Sequence, residues 1–546
     1  MSEARTTELA VNKQVSQLLE VPEYFNFAYD VVDKWAEDRT KLGLIVVDND
    51  DNVDKRTFWE LKTASNRFAN SLLTLGIKPG DPVLIITSRI AEWWEAVLGV
   101  LKAGAVVMPA TSQLTPKDIK YRVDMGQVKF VITDMANHSK FEAVRDQCPQ
   151  MQHLILVDGE RPGWLSYHEM QASTSRELKP VRTKSDDPCL IYFTSGTTGM
   201  PKMVLHTHAY PIGHRITGQY WINATPHDIH WNISDNGWAK AAWSSLFGPW
   251  NAGAAVFTHN NIGKFSATKT LELLDHYGIT TLCAPPTAYR FMVLEDMQQY
   301  DLSNLRHCVG AGEPMNAEII DAWRRHTGIT IHDGYGQTES TIIAGNFGDS
   351  EVRPGSMGKP APGFDVAIID GEGQPLPPGE EGDIAIRVLP HRPVGLFKEY
   401  LGDPEATSSR FFGDWYLTGD RAFQDEDGYL WFVGRADDVI LSAGYRIGPF
   451  EVESAILEHP AVIESAVVAS PDEIRGEIVK AFVVLGAGYE GSPELVKEIQ
   501  NFVKKLTAPY KYPRDIEFVT ELPKTVSGKI RRIELRERER QRKIHL

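Results

Sequence analysis

Apolar runs rich in β-branched residues alternate along this chain with helix-like stretches, and that alternation restricts the fold more than any other feature. VLIIT (83–87), FVITD (130–134) and HLILVD (153–158) have the length and composition of buried strands. AEWWEAVLGVLKAG (91–104) reads as a helix that ends on a glycine suited to its C-terminus. Parallel sheets covered by helices are the expected outcome. From about 353 to 435 the texture changes to short strand candidates split by Gly and Pro, as in GFDVAIIDGEGQPLPPGEEGDIAIRV, which predicts a compact β-barrel-like unit. After GRADD (434–438) a new α/β pattern begins, with a helix in EVESAILEHP, strands in ESAVVAS and VKAFVVL, and a helix from about 493 to 507. The expected class is α/β: a large N-terminal domain over 1–436 and a small α+β domain over 437–546.

The 546 residues exceed the usual single domain of about 100–150. A formal net charge of −16 argues against nucleic acid as the main partner. From Asp437 onward 17 Lys and Arg face 18 Asp and Glu, so the acidic excess lies before it. Cys148, Cys189, Cys283 and Cys308 are far apart and form no C-x-x-C pair, which indicates neither a zinc site nor a disulfide framework. The start, MSEARTTELA, lacks a signal pattern, and the apolar stretch from Ala96 to Ala110 is too short to span a bilayer. A cytoplasmic location is expected, with an organelle matrix left open and no membrane span.

TSGTTGMPK (194–202) directly follows the strand candidate CLIYF. Gly196 and Gly199 let backbone N–H groups approach a phosphate, Ser195, Thr197 and Thr198 add hydroxyls, and Lys202 adds charge. Pro201 and Met203 flank that lysine, so this is not the G-x-x-x-x-G-K-[ST] loop. Read alone, the stretch is a turn rich in small polar residues. Further on come GAGEP (310–314), GYGQTE (334–339), YLTGD (416–420), GRADDVILSAGYRIGP (434–449) and PKTVSGKI (523–530).

With these motifs in this order, the chain resembles the adenylate-forming superfamily, which includes acyl-CoA synthetases, firefly luciferase and the adenylation domains of peptide synthetases. The resemblance implies that ATP or AMP is held by Thr194 to Gly199, by Lys202 and by Gly312, Glu313 and Pro314. It extends that role to Asp333, Gly334, Tyr335, Asp420 and Arg435. Lys529, Thr338 and Arg446 take the catalytic positions and Glu339 that of the Mg²⁺ ligand. Asp437 falls on the hinge of a mobile C-terminal domain, and Gly444 and Tyr445 on the path of coenzyme A.

ISDNGWAKAAWSSLFGPWNAGAAVF (233–257) resembles the acid-pocket region of medium-chain acyl-CoA synthetases, so Trp238, Gly336 and Gly310 become the acid-binding candidates. Acetate-specific relatives carry tryptophan where this chain has Gly336, so glycine is expected to leave room for a longer or aromatic acyl group. Trp238, Trp243, Phe247 and Trp250 can each be read instead as ordinary core, at least half of them in that role, and Lys240 either meets a polar tail on the acid or points to solvent. A solvated amphipathic end is the simpler reading of KIRRIELRERERQRKIHL. The implied activity is ATP-dependent acid–thiol ligation with ATP, Mg²⁺ and coenzyme A. Two alternatives stay open: delivery to a carrier-protein thiol, or a luciferase-type oxygenase.

Overall fold

The computed structural model describes residues 13–194, 200–261, 263, 265–348, 350–436, 438–442, 445–472, 475–508, 510–524 and 529–544. Four sheets organise them. The largest has nine strands, with a parallel centre built from Ile331–Gly336, His307–Ala311, Thr281–Ala284, Ile229–Asn232, Ala255–Asn260 and Leu42–Asp48. Antiparallel strands close it at both ends. An eight-stranded sheet runs parallel from Pro188–Thr194 through Val106–Pro109, Pro82–Ile86 and Phe130–Thr133 to His153–Leu156 and Leu165–Ser166. VLIIT, FVITD and HLILVD are thus neighbouring strands, as their apolar runs predict.

Helix Ala91–Lys102 has hardly a residue open to solvent, which is what a helix apolar all round requires. It packs against helix Phe58–Thr74, where a reciprocal capping box between Thr57 and Glu60 satisfies the first N–H groups. Gly99 lets the two helices close on each other, because a Cβ there would lie 2.7 Å from Phe68. Gly104 follows the helix with φ +72°, the left-handed conformation that terminates it.

The Gly- and Pro-rich stretch forms a five-stranded antiparallel sheet from Val366–Ile369, Gly382–Arg387, Phe411–Phe412, Trp415–Gln424 and Leu430–Arg435. Its core includes Val204, Ile343 and Tyr400 from the two larger sheets, which fixes it beside them.

The fourth sheet is centred on the long pair Val462–Asp472 and Gly476–Leu485. Helices Pro449–Leu457 and Pro493–Leu506 pack with it in one apolar cluster, and the tail helix Arg532–Ile544 joins a second. The basic tail is therefore not a solvated end. Leu535 and Glu539 are buried, Ser470 Oγ donates to Glu539 at 2.9 Å, and Arg532 donates twice to the buried Glu453, at 3.0 and 2.6 Å. Its charge pattern looked solvated because the acids that neutralise it lie far away in sequence.

Candidate active site

Strand Pro188–Thr194 pairs antiparallel with Lys202–Thr207 and places Thr194 opposite Lys202 at the base of a hairpin. Ser195, Gly196, Thr197, Thr198 and Gly199 lie outside the described residues. Lys202 Nζ stands 5.0 Å over the Tyr400 ring, and Tyr400 Oη donates to Glu339 Oε1 at 2.6 Å. Burial beside Glu339 raises the Tyr400 phenol pKa, so it remains a donor. The expected phosphate lysine and metal carboxylate are thereby joined through a tyrosine. No motif announced Tyr400; strand Glu399–Tyr400 brings it in by pairing with Val204 and Leu205.

Strand Ile331–Gly336 carries the next group of residues. Asp333 is buried, and burial pushes its carboxyl up to about 8 despite a 2.9 Å hydrogen bond from the Gly334 amide. Tyr335 Oη and Gln337 Nε2 donate to Asp420 Oδ2 at 2.6 and 2.7 Å. Arg435 Nε lies 3.7 Å from Asp420 Oδ1, and the two residues face each other across adjacent strands. Asp420 is therefore oriented from three sides. Gln337 is a further residue that sequence reading missed. The Thr338 carbonyl shares a 2.8 Å hydrogen bond with His206 Nε2, and burial holds that imidazole neutral, with a pKa of about 3.

The GAGEP segment follows strand His307–Ala311. Thr287 Oγ1 donates to Glu313 Oε2 at 3.1 Å, while Lys240 Nζ donates to the Ala311 carbonyl and closes on Gly312. Lys240 thus braces this segment instead of pointing to solvent. Gly310 is roofed by the Met315 methyl group.

Lys529 comes from the C-terminal part of the chain. Its side chain is exposed, yet desolvation by nearby protein and, after it, the Arg435 charge lower its pKa below the ordinary lysine value, while Glu313, Asp420 and Glu339 oppose the shift. Lys529 thus shares an electrostatic neighbourhood with residues of three separate N-terminal motifs and of the Arg435 segment. Two hydrogen bonds support this placement of the C-terminal part: Arg290 Nη1 to the Ile463 carbonyl at 3.1 Å and Asn316 Nδ2 to the Ser454 carbonyl at 3.5 Å.

The remaining expected residues are placed less centrally. Arg446 sits on strand Tyr445–Ile447 opposite Leu441, and its side chain lies outside the description, as do Asp437 and Gly444. Tyr445 is exposed and stacks on Tyr510 at 4.2 Å. Trp238 is half-buried at the start of the short helix Ala239–Ala241. Pro314 is half-buried beside Glu313.

Asp235 Oδ1 accepts from the Gly237 amide at 2.7 Å and has the half-buried Arg89 as its charge neighbour. It is committed to its own loop and to a cation of the protein.

The room expected at Gly336 is already filled. A Cβ on Gly336 would lie 2.2 Å from the Trp243 ring and 2.7 Å from the Thr341 carbonyl oxygen. Trp243, Phe247 and Trp250 all belong to one apolar core, with Trp250 Nε1 donating to the Gly43 carbonyl at 3.0 Å. Sequence spacing could not reveal this, because Trp243 approaches Gly336 from another element.

Comparison with known proteins agrees with this geometry. Residues 32–401 match the family model described as AMP-binding enzyme, and residues 451–529 match that of its C-terminal domain. The acyl-coenzyme A synthetase ACSM3, mitochondrial, of Mus musculus is 50% identical over 533 residues, spanning 95% of this chain and 92% of that one. The acyl-coenzyme A synthetase ACSM5, mitochondrial, of Rattus norvegicus is 49% identical over 531 residues, spanning 95% and 91%. Among solved structures, the anthranilate CoA ligase AuaEII in complex with anthranoyl-AMP superposes with a TM-score of 0.89 at 31% identity, covering 96% of this chain and 99% of that one. A benzoate CoA ligase from Burkholderia xenovorans LB400 gives a TM-score of 0.82 at 29% identity, covering 94% and 100%. The chain belongs to the AMP-binding enzyme family, the adenylate-forming enzymes, and within it stands with the acyl-coenzyme A synthetases.

Proposed function

We propose that the chain joins a medium-chain fatty or aromatic carboxylic acid to coenzyme A, forming acyl-AMP and pyrophosphate from ATP and then acyl-CoA and AMP. The observation that carries this reading is the shared neighbourhood of Lys529, Glu339, Asp420, Glu313 and Arg435, which come from five separate segments of sequence. In the first step a carboxylate oxygen attacks the α-phosphorus and the bond to pyrophosphate breaks. Lys529 stabilises the charge that develops there, Thr338 and Lys202 hold phosphate oxygens, and Asp420 accepts the ribose hydroxyls. In the second step the thiolate of coenzyme A adds to the carbonyl and AMP leaves.

Glu339 suits Mg²⁺, which binds through one or two carboxylates together with substrate phosphates and water. Among the described residues no group of three or more His, Cys, Asp and Glu forms a metal site. Mg²⁺ would neutralise charge on the departing pyrophosphate.

The domain border falls between Leu430–Arg435, in the third sheet, and Ile440–Ser442, in the fourth, with Asp437 between them as the pivot. We assign the chain to the cytoplasm or an organelle matrix, since the relatives named above are mitochondrial proteins. Among the described residues no helix is long and apolar enough to cross a membrane.

The test is pyrophosphate release from Mg-ATP with acetate, butyrate, octanoate, palmitate and benzoate, each with and without coenzyme A. Release with butyrate, octanoate or benzoate, together with thioester only when coenzyme A is present, is the expected result. Release that never leads to thioester would favour the carrier-protein alternative.

A further inference from the structure

Lys202 and His206 stand four residues apart on strand Lys202–Thr207 and so face the same side of it. That side meets one turn of the chain, Gln337 to Ser340, closed by the Ser340 amide on the Gln337 carbonyl at 3.2 Å. Lys202 reaches the turn through the Tyr400 ring and Glu339. His206 reaches it directly, its Nε2 2.8 Å from the Thr338 carbonyl oxygen. A carbonyl only accepts, so Nε2 carries the proton and donates. Nδ1 is then a bare acceptor, buried and without a hydrogen-bond partner among the described residues.

The turn is held by its carbonyls. Besides His206 on Thr338, the Phe397 amide donates to the Glu339 carbonyl at 2.7 Å and Tyr210 Oη donates to that of Ser340 at 3.5 Å. Tyr210 also stacks on the His206 ring, with centroids 3.7 Å apart and planes at 26°, and both side chains are buried. The imidazole is thus fixed in place by its neighbours. An apolar side chain here would leave no buried nitrogen unpaired, so what the imidazole contributes is the bond to Thr338.

We propose that His206 is a positioning residue for adenylate formation: by holding the Thr338 carbonyl it sets the Thr338 hydroxyl and the Glu339 carboxylate where the phosphates of Mg-ATP bind, in register with Lys202 on the same strand face. This rests on the ligase reading above and adds to it a residue that acts through the turn and not on the substrate. Burial keeps the imidazole uncharged across neutral pH, so the bond does not titrate there. Losing the donor frees one of three carbonyl anchors, and a displacement of about 1 Å in a positioned group is enough to cost about a hundredfold in rate.

The experiment compares the full chain with its His206→Ala, His206→Asn and His206→Gln variants. The amide nitrogen of Gln lies as many bonds from Cβ as His Nε2, whereas that of Asn lies one bond short, so only Gln restores the donor. With the best acid of the panel above, pyrophosphate release by the Ala and Asn variants is expected to lose about ten- to a hundredfold in kcat/KM for Mg-ATP. Both should also need several-fold more Mg²⁺ for half of their maximal rate, and Gln should return to within about threefold of wild type. Partial unfolding would lower the amount of active enzyme but leave the Mg²⁺ half-saturation where it was. Wild-type dependence on Mg²⁺ and Mg-ATP in a folded His206→Ala protein, or a Gln variant no better than Asn, overturns the proposal. Should His206→Ala not fold, Gln against Asn decides by the same difference. Wild type that binds Mg-ATP in a calorimeter yet releases no pyrophosphate with any acid overturns the ligase reading alone. Mg-ATP binding by His206→Ala about tenfold weaker than by wild type would then support the positioning role, and equal binding would overturn it.

Discussion

Lys529 is the residue on which the chemistry turns. In the proposed reaction it works in the first step, where charge builds on the α-phosphate, and has no part in thiol attack. Lys529→Ala is expected to slow adenylate formation by about a hundred- to a thousand-fold, the usual cost of losing one preorganised donor to a developing anion. Thioester formation from supplied acyl-AMP should stay within about threefold of wild type. Equal loss in both half-reactions would contradict the assignment.

Asp333 makes a prediction of another kind, because burial holds its proton up to about pH 8, whereas an unfolded aspartate releases it near 3.8. Between those values the unfolded chain has lost a proton that the folded chain keeps. Stability contributed by this site therefore falls as pH rises from about 4 to about 8, by at most about 1.4 kcal/mol per pH unit, and is flat outside that window. Asp333→Asn, similar in shape and neutral throughout, should flatten the slope. Chemical denaturation of both proteins at about pH 5 and pH 7 checks this.

Most residues of this site were legible as residue types at characteristic spacings. Tyr400 was not, since a lone tyrosine has no pattern and gains its role only when a strand brings it to Glu339; Gln337 stood inside the GYGQTE motif, but its contact with Asp420 exists only once distant strands meet.

At the scale of elements, the strand Ile331–Gly336 is defined by what presses against it. A side chain at Gly336 must displace either the Trp243 ring or the Thr341 backbone. Gly336→Ala is expected to lower stability by about 1–3 kcal/mol, the ordinary cost of overpacking a filled core. Urea denaturation should show it as a lower midpoint with an unchanged slope. Strands and long helices were readable because apolar periodicity reports the face each presents to the core. The π-helical segments Thr217–Trp221 and Ala242–Leu246 were not, because nothing in their composition departs from an α-helix. The same blindness hid the filling of Gly336, where a missing side chain read as empty space although another element occupies it.

On the scale of the whole molecule, the order of strands within each sheet was beyond the sequence, since neighbours such as Leu42–Asp48 and Ala255–Asn260 lie far apart along the chain. Contacts between sheets bring the strand of Asp333 to Asp420 through Tyr335 and Gln337, and Lys202 to Glu339 through Tyr400. The C-terminal part then brings Lys529 to these residues, supported by Arg290 and Asn316 on the N-terminal side. In the proposed reaction such an assembly suits transfer of the acid onto the α-phosphate more than hydrolysis, because a nucleotide and an acid bound beside these residues would be held between the two parts of the chain and kept from water. The most direct measurement of that claim is the fate of heavy oxygen placed in the carboxylate of octanoate, followed by mass spectrometry of the nucleotide and pyrophosphate after turnover with coenzyme A. One labelled oxygen in AMP and none in pyrophosphate is the expected result; label confined to pyrophosphate or phosphate would mean that the acid never forms an acyl-adenylate.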